Sequence, residues 1–410
     1  MGMLVDCDFH IHGRYSGATS EKMTLGNISA QGALKGLNVV GTGDALHPKW
    51  LGDIKSLDRY SDGIYEKNGC KFVITTEIED LNRVHHLIFL PEVSSAESLT
   101  ESLKKYSTDI EKEGRPHVRL GGEELLDFVL EVGGFLGPSH AFVPWTSIYK
   151  EYDTMEDCYG KNLKKVGFLE LGLSADTDMA DRIPELSGIS FLTNSDAHSP
   201  WPNRLGREFN RLSLDNLSFP DIKNAIFGEG VKLNVGLDPR LGKYHRTACI
   251  KCFTLYKFAD AGRHDWKCQL CGGRLKKGVY DRTQELSGGK LSKNPKTRPD
   301  YIRIAPLADI ISSALGIKSV YSIRVQDAWR VLIRRFKTEI AVLLDIPIES
   351  VKAEGGEKLA HLIDAYRKGE FNIREGGGGK YGEVLFYKKS QQNFYTNDQS
   401  MLDSFLIQNS

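Results

Sequence analysis

The chain has 410 residues, 40% of them hydrophobic and 26% charged, a composition typical of a soluble globular protein with two or three domains. No apolar run approaches the roughly 20 residues that span a bilayer, so we expect neither a membrane span nor a membrane partner. The N-terminus has no basic segment and no signal-like apolar core, which predicts a cytoplasmic location.

The net charge of zero hides an uneven distribution. Residues 1–240 carry 25 Lys and Arg against 36 Asp and Glu, whereas residues 241–410 carry 29 against 18. An acidic half suits a site that collects divalent cations, and a basic half suits a polyanionic partner. Two solvated surfaces of opposite charge would give the same counts, so the charge alone does not distinguish binding surfaces from ordinary solvated ones.

Strand-like and helical patterns alternate through the first 240 residues. Apolar runs predict strands near 4–12, 37–42, 71–78, 85–90, 134–138, 166–171 and 189–194. Helical spacing predicts helices over Thr24–Gly36, Ser95–Glu113 and Glu123–Val132. This alternation favours an α/β barrel or a doubly wound sheet as the domain of residues 1–240.

The first strand ends in Asp8-Phe9-His10-Ile11-His12. Alternate residues of a strand share a face, so the two imidazoles project to one side about 6–7 Å apart. In that position they can share one metal ion or bind two adjacent ions. Without further ligands, two histidines at this spacing are about as often metal-free, with one packed in the core and the other solvated.

The pair is not alone, because further polar residues follow the ends of later apolar strands. His86 begins its strand nine residues after Glu77, and a short hairpin would bring the two side by side. Enzymes on α/β barrels carry their chemistry at the carboxyl ends of the strands, so this recurrence favours the barrel. The other residues at strand ends are Asp44, Glu77, His140, Asp196 and His198.

This ordered set resembles the polymerase and histidinol phosphatase (PHP) superfamily. The resemblance implies a distorted seven-stranded barrel holding two or three divalent ions of zinc, manganese or magnesium, with Asp196, Glu77 and His140 as catalytic residues and Glu77 as the bridge. The second motif departs from the usual Thr-Asp-His, since Thr42-Gly43-Asp44 is followed by His47, so Asp44 or His47 could be the ligand. The alternative is a metal-free polar network in the core. The implied metal ligands are His10, His12, Asp44, Glu77, His86, His140, Asp196 and His198.

A second metal signature lies in residues 241–290. Cys249-x2-Cys252 and Cys268-x2-Cys271 have the spacing of a structural zinc ribbon, in which four thiolates close a tetrahedral site. A redox dithiol pair would need only one of the two motifs. Lysines and arginines interleaved with aromatic residues surround the cysteines, a pattern that suits nucleic acid.

Residues 291–410 are predicted to form a basic, mainly helical domain. One stripe of a long helix, which predicts core packing, consists of Val325, Ala328, Trp329, Leu332, Ile333, Phe336 and Ile340, while arginines occupy its other faces. The glycine-rich segment 374–382 precedes a strand-like run, so we interpret it as a hairpin loop rather than a phosphate loop. Late apolar residues at 401–407 are a candidate docking tail for a replication or repair clamp.

The order of barrel, four-cysteine ribbon and basic helical region resembles the endonuclease Q family, most closely at residues 193–202 and at the ribbon. The resemblance implies an endonuclease that cuts damaged DNA 5′ of uracil, hypoxanthine, xanthine or an abasic site. The alternatives are another PHP phosphoesterase, either an exonuclease or a small-molecule phosphatase, and a non-catalytic DNA-binding module. The candidate residues for contacts to DNA or to an extruded base are Trp201, Arg204, Arg207 and Trp145.

Overall fold

The computed structural model describes residues 2–288 and 298–385. Their contacts form two compact units, one of residues 1–236 with 283–302 and the other of residues 237–282 with those from 303 onward. The cysteine-rich segment and the C-terminal helices belong to the second unit, and the three-domain division remains a prediction. No helix within the described ranges combines the length and apolar character needed to cross a membrane.

The strands concentrate in the first unit. In chain order they are β1 (Met3–Asp8), β2 (Val39–Gly41), β3 (Asp58–Ser61), β4 (Ile64–Lys67), β5 (Cys70–Glu79), β6 (His85–Leu90), β7 (Phe135–Pro138), β8 (Leu169–Glu170), β9 (Phe191–Leu192), β10 (Phe209–Leu214), β11 (Val231–Gly236), β12 (Ala248–Cys249), β13 (Leu275–Lys276), β14 (Asp300–Arg303), β15 (Asn372–Arg374) and β16 (Glu383–Leu385).

The helices lie in both units. In chain order they are α1 (Leu25–Lys35), α2 (Pro48–Ile54), α3 (Val93–Leu103), α4 (Gly122–Glu131), α5 (Ile148–Glu151), α6 (Met155–Tyr159), α7 (Thr177–Ala180), α8 (Phe219–Phe227), α9 (Phe258–Arg263), α10 (Val279–Leu286), α11 (Leu307–Leu315), α12 (Ile323–Phe336), α13 (Ile348–Gly355) and α14 (Glu357–Lys368).

Each of the seven segments predicted as a strand contains one, and the α/β fold is confirmed. Strands β1, β2 and β5 pair in parallel, and β5, β6 and β7 continue antiparallel. The amide of Gly167 bonds to the carbonyl of Leu136, which leads from β7 to β8, and β8 pairs in parallel with β9. A bridge between Ile11 and Ala197 returns to the end of β1. These links arrange the strands around a distorted barrel.

Capping residues explain where the helices begin and end. Thr24 accepts a hydrogen bond from the amide of Asn27 at the start of α1, and Gly36 ends that helix with φ = +103°. The helix predicted to reach Glu113 instead ends at Leu103, followed by a 3-10 turn to Tyr106. Its apolar spacing continues past the helix because the later residues also face the core.

In the second unit, α12 confirms the predicted amphipathic helix as far as Phe336, and Ile340 of the predicted stripe lies beyond its end. Val325, Trp329, Leu332 and Ile333 are buried, and its basic residues are exposed. The buried carboxylate of Glu339 accepts hydrogen bonds from the indole of Trp329 at 2.7 Å and from the amide of Leu307 at 3.1 Å. This pairing ties α11, α12 and the segment after α12 together.

The glycine-rich segment is a hairpin loop, as predicted. It connects β15 and β16, which pair antiparallel. The amides of Gly376, Gly377 and Gly379 donate to backbone carbonyls within the second unit, so they are not directed at a ligand. The predicted clamp-docking residues 401–407 lie outside the described residues.

Candidate metal centre

His10 and His12 lie just beyond the end of β1, with their rings 5.3 Å apart. The Nε2 atoms of both lie 3.4 Å from the two carboxylate oxygens of Glu77, and 3.7 Å and 3.2 Å from Oδ1 of Asp196. All four belong to the first unit, and both imidazoles are fully buried. The strand alternation that the sequence predicts therefore brings both rings to one carboxylate.

Glu77, on β5, occupies the middle of the cluster. Its Oε1 also lies 3.1 Å from Nδ1 of His85 and 3.2 Å from Nε2 of His140. The same carboxylate thus belongs to two groups with metal-binding spacing, one with the histidines of β1 and one with His85 and His140. A carboxylate shared in this way can bridge two divalent ions about 3.5–4 Å apart.

Asp196 and His198 form a third group with His12. Nε2 of His198 lies 3.4 Å from Oδ1 of Asp196, and both side chains are about one-third exposed. Buried Asp8 accepts hydrogen bonds from the amide and hydroxyl of Ser195, which fixes the segment that carries Asp196. The three groups run from the interior at His140 to the exposed edge at His198.

The donor atoms fit bound cations. Three buried atoms that face one another make no hydrogen bond of acceptable geometry: Nε2 of His10, Nε2 of His12 and Oδ1 of Asp196. Buried polar atoms without partners are rare, and their convergence is the pattern expected where a cation completes the site. A mixed set of imidazoles and carboxylates suits zinc, manganese or iron.

The electrostatics of the cluster also require positive charge. Burial alone would lower the pKa of His10 and His12, but neighbouring carboxylates raise both well above the usual value. Burial would likewise raise the pKa of Glu77, yet His85 and His10 lower it well below the usual range. Protons and divalent cations compete for the same electron pairs, so metal binding would release protons here.

A set of outer groups holds the ligating rings in place. Glu170, at the end of β8, accepts from Nδ1 of His10 at 2.9 Å, and the hydroxyl of Thr19 lies 2.7 Å from Nδ1 of His198. Such contacts fix which ring nitrogen faces the metal and raise its basicity. Glu170 was not predicted from the sequence, because it lies 160 residues from His10 and belongs to no local motif.

Asp44, predicted as a ligand, occupies one of these outer positions. Its carboxylate lies 3.0 Å from Nδ1 of His12 and accepts from the amide of Gly13 at 2.6 Å. His47, the open alternative, stacks on Tyr15 with ring centroids 4.5 Å apart and caps α2. We therefore propose that Asp44 supports His12 rather than binding a metal ion directly.

His86 was predicted to lie beside Glu77, but the structure places His85 there instead. In the β5–β6 pairing, His85 lies opposite Glu79 and His86 opposite Ile78, so His85 shares the face of Glu77. His86 points to the other side, where it contacts Asp80 at 3.2 Å and the hydroxyl of Tyr159 at 2.8 Å. The predicted hairpin is present, but the histidine on the face of Glu77 is one residue earlier in the chain than predicted.

Three residues around the cluster have left-handed backbone conformations: Asp44 at φ = +49°, His140 at +29° and Asp196 at +47°. Such angles are uncommon for residues other than glycine and occur often at functional sites. The amide of His140 donates to Glu170, which shows how the surrounding structure holds one of these conformations. Three points around the cluster therefore have strained backbone.

The predicted DNA-contact residues lie on loops of the first unit. Trp201 is 38% exposed with Nζ of Lys22 5.2 Å from its ring centroid, and Trp145 is 55% exposed. Nε of Arg207 donates to the carbonyl of Ser195, next to Asp196, and burial lowers the pKa of this guanidinium. The amide of Arg204 bonds to the carbonyl of Trp201. Their role in binding DNA remains a prediction.

The second unit contains the four-cysteine site. The Sγ atoms of Cys249 and Cys271 are 3.5 Å apart, as are those of Cys252 and Cys268, and all four group together. The amides of Lys251 and Cys252 point to Sγ of Cys249. The hydroxyl of Tyr256 donates to Sγ of Cys268 and lowers the pKa of that thiol to about 6. This geometry fits one tetrahedral ion.

Comparison with known proteins gives concordant matches. A family model described as the MJ0043 C-terminal domain matches residues 306–370. The uncharacterised protein MJ0043 of Methanocaldococcus jannaschii is 44% identical over 309 residues, which is 72% of this chain but only 38% of that protein.

Two solved structures match nearly the whole chain. The lesion-specific endonuclease PfuEndoQ of Pyrococcus furiosus is 49% identical, with a TM-score of 0.91 and coverage of 95% of this chain and 98% of that one. An endonuclease Q complex with a 27-mer duplex substrate, with an abasic lesion at the active site, is 50% identical. Its TM-score is 0.87, and coverage is 94% of this chain and 98% of that one.

Proposed function

Because the chain belongs to the endonuclease Q family, we propose that it is a metal-dependent endonuclease that cuts DNA beside damaged nucleotides. The observation that supports this most strongly is the convergence of two histidine pairs on the single carboxylate of Glu77, with Asp196 beside it. Clusters of this kind, with ions a few ångströms apart, catalyse in-line displacement at phosphorus.

For the substrate, we propose DNA that contains uracil, hypoxanthine, xanthine or an abasic site, cut on the 5′ side of the lesion. PfuEndoQ is lesion-specific, and an abasic duplex occupies the active site of the second solved relative. The basic residues around the four-cysteine site and on α12 supply charge that suits the DNA backbone. Trp201 and Trp145 are the proposed surfaces for stacking on an extruded base.

The metal roles follow from the three groups of ligands. His10, His12, Glu77 and Asp196 would hold one ion, and Glu77 with His85 and His140 a second; His198 with Asp196 would complete a third position. Divalent cations there would lower the pKa of water and neutralise charge on the phosphate. We propose zinc, manganese or magnesium in the barrel and zinc at the four cysteines. Glu170 and Asp44 keep the rings of His10 and His12 oriented throughout.

Two further proposals concern the setting of the protein. A replication or repair clamp is the proposed partner of the apolar tail at 401–407, and the cytoplasm is the proposed location. Another PHP phosphoesterase activity, as an exonuclease or a small-molecule phosphatase, is the alternative function. A small-molecule phosphatase would leave the basic, aromatic-rich surface around the cysteines without a role.

A panel of matched substrates tests the proposal. The metal-loaded protein is given end-labelled duplexes that differ only in one central residue (cytosine, uracil, hypoxanthine, xanthine or an abasic site) and, separately, p-nitrophenyl phosphate. We expect one internal product from each damaged duplex, mapping to the 5′ side of the lesion, and little from the undamaged duplex. Stepwise shortening from an end would identify an exonuclease, and hydrolysis of p-nitrophenyl phosphate alone would identify a phosphatase.

A further inference from the structure

The side chain of Arg115 contacts the metal cluster, although Arg115 does not belong to the predicted set of metal ligands. Nη1 of Arg115 donates to Oε2 of Glu77 at 3.3 Å, and the Arg115 side chain is 31% exposed, whereas that of Glu77 is fully buried. Among the described residues, Glu77 is the one hydrogen-bond partner of its guanidinium. The remaining N–H donors are available to a ligand.

The backbone on either side of Arg115 is held close to the cluster. The amide of Gly114 donates to the carbonyl of Tyr15, and a Cβ at Gly114 would lie 2.4 Å from Oδ2 of Asp44. Any side chain at 114 would therefore push the segment away from the carboxylate that supports His12. Glycine at this position allows the close approach that brings Arg115 over Glu77.

The following residues anchor the other end of the segment. The amide of Glu79 donates to the carbonyl of Pro116, and the amide of Val118 donates to the carbonyl of Glu79. Glu79 is only two residues from Glu77 on β5, so the segment is aligned with the strand that carries the bridging carboxylate. Arg115 is thus positioned by backbone contacts on both sides rather than by its ion pair alone.

We propose that Arg115 binds a non-bridging oxygen of the scissile phosphate and stabilises the charge that grows there during hydrolysis. This inference rests on the proposed function, and it assigns to the reaction a residue outside the metal-ligand set. The guanidinium is a planar donor group matched to phosphate oxygens, and its contact to Glu77 leaves its outer edge directed away from that carboxylate.

The step is a simple hydrolysis. A water oxygen forms a bond to phosphorus as the P–O3′ bond breaks, and one water proton ends on the departing O3′. The other proton is released to solvent, so the products are a 3′-hydroxyl and a 5′-phosphate, with no change in oxidation state. Negative charge is greatest on the non-bridging oxygens at the transition state, where a fixed donor contributes most.

The test compares Arg115→Met and Arg115→Lys with Arg119→Met in the full-length, metal-loaded protein. Arg119 is the matched control, because it is exposed, lies four residues on, and its guanidinium donates only to the carbonyl of Lys105 among the described residues. We expect R115M to lose about 10²–10³-fold in single-turnover cutting rate at saturating DNA, the loss typical of removing one transition-state donor. R115K should lose less, and R119M should match the wild type.

Two readouts separate phosphate binding from a merely structural role. Guanidinium ion added at millimolar concentration should restore cutting by R115M at least several-fold without affecting R119M, because it can occupy the position of the lost group. The metal content of R115M should equal that of the wild type. Normal cutting by R115M would refute the proposal. A lower cutting rate that guanidinium does not restore, together with a lower metal content, would also refute it. If the wild type itself does not cut lesion-containing DNA, the proposed function fails instead.

Discussion

The substitution Glu170→Gln tests how the outer groups support the metal centre. Glu170 is fully buried; its Oε1 lies within 3.1 Å of Nδ1 of His10 and of the amide of His140, and its Oε2 lies 2.9 Å from the same His10 nitrogen. Oε2 also accepts from the amide group of Asn194 at 3.0 Å. Every neighbour is a donor, so the carboxylate is satisfied only as an acceptor on both oxygens.

A glutamine cannot meet this demand in either orientation. Its NH2 group must face the His140 amide or the Asn194 side chain, and both are donors. Loss of one hydrogen bond to a charged acceptor costs about 1.5–3 kcal/mol, and outer-group substitutions typically weaken metal binding 10–100-fold. We therefore expect E170Q to bind barrel metal 10–100-fold more weakly, which equals about 1.4–2.7 kcal/mol.

Manganese titration followed by electron paramagnetic resonance measures this affinity, because manganese prefers oxygen and nitrogen ligands to the thiolates of the cysteine site. Glu185→Gln is the matched control: that carboxylate also accepts bonds from a hydroxyl and an amide, those of Tyr149 and Met155, but touches no ligating histidine. Unchanged manganese affinity in E170Q, or an equal loss in E185Q, would refute the supporting role of Glu170.

Five further substitutions test other parts of the protein. Asp196→Asn should abolish DNA cutting while gel-shift affinity stays within a few-fold, since the basic surfaces proposed to bind phosphates are unchanged; near-normal turnover with full metal would contradict this prediction. His85→Ala should lower barrel metal content, whereas His86→Ala should lower thermal stability and leave metal content unchanged, so the reverse result would restore the predicted assignment. Cys268→Ser should release one zinc per chain and weaken DNA binding at fixed salt, which metal analysis and titration with labelled duplex would check. Trp201→Ala should reduce the preference for uracil-containing over undamaged duplex by roughly 1–3 kcal/mol, and an unchanged preference with normal metal would remove this ring from the base pocket.

The sequence was enough to predict the features that depend only on the position of a residue along one strand. The ends of β1, β5 and β9 could be located from apolar runs, and so His10, His12, Glu77 and Asp196 could be grouped before their distances were known. The cysteine spacing likewise predicted the group that the structure brings together. These features are local, and local patterns determine which face or end of an element a residue occupies.

What the sequence could not predict depends on register and on distant contacts. The choice between His85 and His86 depends on the exact hairpin pairing, since a shift of one residue exchanges the two faces of β6. Glu170 and Arg115 reach the cluster from 160 and 38 residues away, and neither stands in a recognisable motif. Asp44 follows its strand as predicted, but its carboxylate contacts Nδ1 of His12 rather than Glu77.

We propose above all that the groups around Glu77 form a metal centre that cuts DNA at lesions. The most direct test strips barrel metal with a chelator and then titrates manganese back while a duplex with one abasic site is present. We predict that a single nick 5′ of the abasic site appears in proportion to restored metal, and that the undamaged duplex stays intact. Cutting that is independent of barrel metal, or equal cutting of both duplexes, would contradict this account.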